Sequence, residues 1–135
     1  MRTITLLAFA ALTSAALVLG ACASSGEITT AAAPSWFSAS PAPFVGWARV
    51  TGEEFRLYEN EVDLRAPSTD CVSGALPRNA QRAAGDLNGL KVRVYGRAAP
   101  WSERDTTVFN WQGSKIANGC RRDVVILADR IEVIR

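Results

Sequence analysis

The segment Leu87-Asn88-Gly89-Leu90-Lys91-Val92-Arg93-Val94-Tyr95-Gly96-Arg97 decides how the rest of the chain is read. Asn88-Gly89 is a turn pair, and beyond it Leu90, Val92 and Val94 alternate with Lys91, Arg93 and Tyr95. A period of two marks a strand with one buried face and one solvated face. Gly96 permits a bend or bulge where the strand leaves its sheet.

Upstream of this strand, Arg78 to Ala84 makes about two helical turns, with Pro77 at the helix start and Gly85 as its stop. So short a helix does not stand alone and must pack on a sheet. Before it, Phe44 to Val50 reads as a first strand with a bend at Gly46, and Thr51-Gly52-Glu53 as a turn. Phe55 to Tyr58 then forms a second strand with Phe55 and Leu57 on one face. Val62 and Leu64 have the opposite parity, so Glu59-Asn60 is expected to be a bulge or a hairpin tip. Glu59, Glu61 and Asp63 fall on one face of that extended segment. They are read as a solvated, charge-protected strand face, because a calcium site needs six or more oxygens. Ala66 to Asp70 is a loop, and Cys71 to Leu76 a short extended piece.

Downstream, Ala98 to Arg122 is too long to be structureless inside a compact domain, and Thr106 to Trp111 is expected to form a strand within it. Val124 to Ile134 closes the chain as its longest strand. Its first half is apolar on both faces, which predicts a central position; Asp129 interrupts the apolar row Val125, Leu127, Ile131, Val133.

The order strand, strand, strand, short helix, strand, long loop, strand resembles an OB-fold, a five-stranded Greek-key barrel with a helix between strands three and four. Leu87 to Gly96 looks like the fourth strand of small bacterial OB-fold modules, and Ile126 to Ile131 like their last. The resemblance spans residues 45–135 and implies a mainly β, OB-like barrel. Another small β-barrel or a β-sandwich is the alternative.

The first 44 residues are of a different kind. Met1-Arg2-Thr3 carries one positive charge, and Ile4 to Leu19 is apolar with small residues throughout. This is the pattern of a secretory signal over residues 1–21; the core is shorter than the ~20 residues that a membrane span needs. Leu19-Gly20-Ala21-Cys22 resembles the lipobox of bacterial lipoproteins. That resemblance implies acylation of Cys22 after removal of the signal, so that the chain is held to the membrane by its lipid. Ala23 follows the Cys where Asp would retain the protein at the inner membrane, so the resemblance implies the periplasmic side of the outer membrane in a Gram-negative host. The competing reading is ordinary cleavage after Ala21-Cys22-Ala23, giving a secreted or periplasmic soluble protein. Residues 22–44, rich in Ala, Ser, Thr and Pro, read as a flexible tether, about 25 Å across as a coil. Trp36 and Phe37 stand out in it, either docking on the domain or touching a membrane or partner.

Composition narrows the function. The chain has 135 residues, 15 basic and 13 acidic, and no histidine. Without Arg2, which leaves with the signal, 14 basic residues face 13 acidic ones, and no broad field steers nucleic acid. Lack of histidine removes the usual general base and the commonest metal ligand. With Cys22 assigned to the anchor, Cys71 and Cys120 are an even pair in an oxidising compartment and are expected to form a disulfide. A redox couple is the alternative, though the pair lacks the Cys-X-X-Cys arrangement, and two distant Cys without His make a poor zinc site. A Ser73 nucleophile paired with Lys91 or Lys115 has no diagnostic spacing. No cofactor and no catalytic residue are expected.

Recognition remains. The expected role is a lipid-anchored, non-catalytic cell-envelope module that binds a protein or glycan partner and no nucleic acid. A small hydrolase or thiol-redox accessory is the second reading, and a structural lipoprotein without a ligand the third. OB-folds bind oligonucleotides or oligosaccharides through the face of strands two and three and the adjoining loops. The candidate surface is therefore Tyr58 with Trp101, Arg104, Phe109, Trp111 and Lys115 of the long segment, followed by Arg121 and Arg122. Aromatics beside cations stack on sugar rings, bases or side chains. The alternative is that Trp101 and Trp111 only cover the barrel.

Overall fold

The computed structural model describes residues 28–40, 42–66 and 68–135. The expected signal, the lipobox and Cys22 lie outside them. Among the described residues, seven strands and one α-helix follow in order: β1 (Phe44–Thr51), β2 (Glu54–Tyr58), β3 (Cys71–Ala75), α1 (Arg78–Ala84), β4 (Lys91–Pro100), β5 (Phe109–Trp111), β6 (Ser114–Ile116) and β7 (Val124–Val133). Five of the strands close into a barrel in the order β1-β2-β3-β7-β4, with β4 pairing back onto β1. β3 and β7 run parallel, and the other barrel pairs are antiparallel. The protein is thus mainly β, a closed five-stranded OB-like barrel with one helix, and closure pairs each barrel strand on both sides.

Alternation places the side chains. Phe44, Ala48, Phe55, Leu57, Val72, Val92 and Val94 point inward and are buried, while their sequence neighbours form the outer wall. Leu90, expected on the buried side, precedes β4 at the rim and is 36% exposed. Gly96 sits at a register shift in the β4–β7 ladder with φ 157°, where an added Cβ would be driven into the Leu127 carbonyl. Only glycine lets the two backbones approach so closely there.

β7 explains its own apolar run. Ile126 and Ala128 face the barrel interior. Val125 and Leu127 face outward, into a second core with Ala75, Ala99, Trp101, Phe109 and Ile116. The antiparallel hairpin of β5 and β6 supplies Phe109 and Ile116 to that second core. The expected strand begins at Phe109 instead of Thr106, because the Thr106 hydroxyl bonds the Val108 amide and carbonyl and turns the chain there; β6 was not foreseen.

The segment after Tyr58 is a correction. Glu61–Leu64 is a 3-10 turn, with Val62 68% exposed. The parity flip arises because the chain leaves the sheet at Glu59-Asn60, so the three acids do not line an extended face. Part of the stretch expected as tether packs on the domain. Ala31 forms a parallel bridge with Arg122, Ile28 packs against the second core, and Trp36 and Phe37 pack against the first. Phe37 stacks on Phe44 at 5.2 Å between centroids, with Trp36 edge-on to Phe37 at 5.9 Å. They cover the barrel end where β1 starts, and Ala80 and Ala84 of α1 pack at the opposite end.

Candidate functional site

On the outer wall of β2 and β3, Glu54, Arg56 and Tyr58 stand beside Cys71, Ser73 and Ala75, with Arg56 opposite Ser73 and Tyr58 opposite Cys71. This is the wall that OB-folds use for ligands, and here the chain itself covers it. The Glu54 carboxylate, 5% exposed, accepts the backbone N–H groups of Ala117 (2.6 Å) and Asn118 (3.0 Å) on Oε2 and of Gly119 (2.8 Å) on Oε1. The Ser73 hydroxyl donates to Oε1 at 3.1 Å and accepts the Cys120 amide at 3.1 Å. Cys120 then forms the disulfide to Cys71, beneath Tyr58. A buried carboxylate is tolerated because consecutive amides and a hydroxyl replace its water shell, and such ionic hydrogen bonds are the strong ones.

The loop is shaped to deliver those amides. Asn118 and Arg121 have φ of 60° and 54°, and Asn is among the side chains best suited to that left-handed region. The Asn118 side chain donates to the Arg122 carbonyl at 2.6 Å and accepts the Arg122 amide at 3.2 Å. Gly119 lies against Arg56, where a Cβ would meet the guanidinium.

The expected aromatic surface does not assemble. Tyr58 (1% exposed) packs on the disulfide, and Trp101 (4%) and Phe109 (9%) fill the second core, so their rings offer little face to a ligand. Trp111 is half-buried and donates its Nε1–H to the Ala128 carbonyl at 2.7 Å. Arg104 lies over the Trp101 ring at 4.5 Å and donates to the Trp101 carbonyl at 2.9 Å. Arg122 donates to the carbonyls of Ala32 (2.9 Å) and Thr69 (2.8 Å) and pairs with Asp70 at 3.4 Å. Lys115 and Arg121 are exposed. The physical reason is economy of burial: β7 has two apolar faces, and the loop aromatics are what covers the outer one. Ser73 is fully buried with its hydroxyl engaged as above.

A third stretch of wall is open. Here β4 lies between β1 and the second half of β7, with Trp47 opposite Lys91, Val45 opposite Arg93, Arg93 opposite Glu132 and Tyr95 opposite Arg130. Val45 is 44% exposed, Trp47 and Tyr95 half-buried, and Arg49, Lys91, Arg93, Arg97 and Arg130 exposed. Arg130 stacks on the Tyr95 ring at 3.7 Å and pairs with Glu132, and Tyr95 donates its hydroxyl to Glu132 at 3.1 Å. The hydrogen bond from Arg130, followed by that from Tyr95, holds the Glu132 carboxyl below the ordinary carboxylate range. Sequence reading saw the outward Lys91, Arg93 and Tyr95 but not this surface, since nothing local tells that β1 comes to lie beside β4. Comparison with protein-family models, curated proteins and solved structures finds no match to this chain.

Proposed function

We propose that this chain is a non-catalytic binding module of the cell envelope, held by an acyl anchor at Cys22 and recognising a protein or glycan partner through its barrel wall. One observation carries the reading: the wall that OB-folds use for ligands is sealed by the chain's own loop through Glu54 and the Cys71–Cys120 disulfide, while the β1–β4–β7 wall stays open, cationic and partly aromatic. A disulfide also fits an oxidising compartment, where such bonds persist. Cys71 and Cys120 are both buried, which suits a staple better than an exchanging redox pair.

The test is the intact mass of membrane-extracted protein, with and without reduction before alkylation. The proposal expects a chain that starts at Cys22, carries acyl mass and gains two alkyl groups only after reduction. An unacylated chain starting after Ala23 would refute the anchor, and free thiols before reduction would revive the redox reading.

A further inference from the structure

We infer that the open β1–β4–β7 wall is a docking surface for a linear anionic glycan. The inference rests on the envelope-binding reading above and names the partner's chemistry. Lys91, Arg93 and Arg97 project outward from one strand. Alternate residues of a strand lie about 7 Å apart, so Lys91 and Arg93 are neighbours, and Arg97 follows beyond Tyr95 and the bulge at Gly96, a spread of cations suited to an extended polyanion. Arg130 of β7 flanks that row, opposite Tyr95.

The β1 side adds a conflict. Arg49 and Arg56 are direct cross-strand partners, and like charges placed opposite each other are destabilising. Glu54 relieves this only in part: it approaches Arg56 Nε at 4.0 Å but already serves three loop amides. The buried Arg56 Nε has no hydrogen-bond partner among the described residues. Arg49 donates to the Leu64 carbonyl at 3.2 Å. An anionic polymer crossing from β4 onto β1 relieves the Arg49–Arg56 repulsion.

The wall's own acids offset the row only in part. Glu132, opposite Arg93, is hydrogen-bonded by Arg130 and Tyr95, Asp129 is exposed at the register shift, and Glu61 pairs with Arg65 on the 3-10 turn after β2, so the exposed cations Arg49, Lys91, Arg93, Arg97 and Arg130 outnumber the acids among them. Trp47, opposite Lys91, packs on the Tyr58–disulfide cluster and stays partly exposed beside the cations. Among the described residues, the exposed large apolar side chains on or beside these strands are Val45, Leu90 at the rim before β4, and Val133 at the end of β7, which is too little for insertion into a bilayer. These observations favour a hydrated polymer over a lipid surface.

The experiment uses the full chain carried in neutral-lipid nanodiscs, titrated with polygalacturonate and, as a control, neutral dextran. The inference predicts saturable binding to polygalacturonate alone, weakening as salt rises from about 50 to 200 mM. The double variant Lys91→Glu/Arg93→Glu is expected to bind about tenfold more weakly or worse. Arg78→Glu/Arg82→Glu, with the same charge change at exposed positions of α1 away from this wall, is expected to bind as the parent. Thermal melts check folding, and if the double variant melts early, Arg97→Glu takes its place. Absence of binding, or equal loss in both double variants, overturns the inference. So does tighter binding to polyglutamate, which would assign the wall to an acidic protein. Loss of polymer binding when phosphatidylglycerol is added to the nanodisc also overturns it, assigning the wall to the membrane. Failure of the chain to enter nanodiscs refutes the anchor alone, and the same titration then proceeds on the soluble chain.

Discussion

Glu54 and Gly119 are 65 positions apart in the chain, yet the Gly119 amide donates to the Glu54 carboxylate at 2.8 Å. That bond, with its neighbours from Ala117 and Asn118, fastens the loop before β7 onto the barrel wall formed by β2 and β3. The loop lies there through a designed-in ionic contact and a covalent one, and both have measurable consequences.

Removing the charge should loosen the loop. Glu54→Gln keeps one acceptor oxygen but replaces the other with a donor facing the amides, and is expected to cost about 1–3 kcal/mol. Glu54→Ala leaves the amides and the Ser73 hydroxyl without their acceptor and should cost more. Urea denaturation, compared through midpoints at constant slope, checks both.

Breaking the staple acts through the unfolded chain. Cys71 and Cys120 are separated by 49 positions, and closing a loop of that size contributes about 3–4 kcal/mol. The paired substitution to Ser should lower stability by that order, and the oxidised parent should resist reductant until it unfolds, because both cysteines are buried.

The register shift beside Gly96 should tolerate no side chain. Gly96→Ala forces a methyl into the backbone of Leu127 and Ala128, where no flexible atom can move away, and is expected to cost about 2 kcal/mol or more. Gly52→Ala, in open space with a left-handed φ of 63°, carries the backbone penalty alone and should cost about 1 kcal/mol. Thermal melts of the two variants give the comparison.

Residues read from the sequence as tether should contribute to stability. Phe37→Ala removes the ring stacked on Phe44 and is expected to cost about 1–3 kcal/mol, less than a fully buried Phe because the ring is half-buried. A free spacer would show no change in midpoint.

Glu132 supplies a pH signature. Its folded pKa is held down by Arg130 and then Tyr95, so its contribution is present above the unfolded carboxylate value and is lost as pH falls through the lower folded value. The pair is exposed and screened by salt, so the effect on stability is small. Tyr95→Phe should move the Glu132 titration toward the ordinary range, as followed by carboxyl carbon NMR.

The comparison of sequence and structure divides along the range of the interactions. α1 runs from Arg78 to Ala84 as Pro77 and Gly85 predict, the alternation at Lys91–Tyr95 gives β4 its faces, and Gly96 marks the bulge; each signal is local. Cys71 and Cys120 were matched because two cysteines allow one pairing. Glu54 carries no local mark, since a Glu after a turn reads as solvated and its partners are backbone amides far along the chain. The aromatic residues of the long segment read from sequence either as a ligand surface or as a cover for the barrel, because sequence does not show which β7 face needs covering. The open wall depends on the pairing of β1 with β4, a contact across some fifty positions that no periodicity announces.

The most direct test of the sealed wall is amide hydrogen exchange at Ala117, Asn118 and Gly119 in the oxidised full chain. The account predicts protection close to that of the β2 and β3 amides, with the three sites exchanging through unfolding of the barrel. Exchange at the rate of an open loop would mean that the segment lifts from Glu54, and the β2–β3 wall would then be available to a ligand after all.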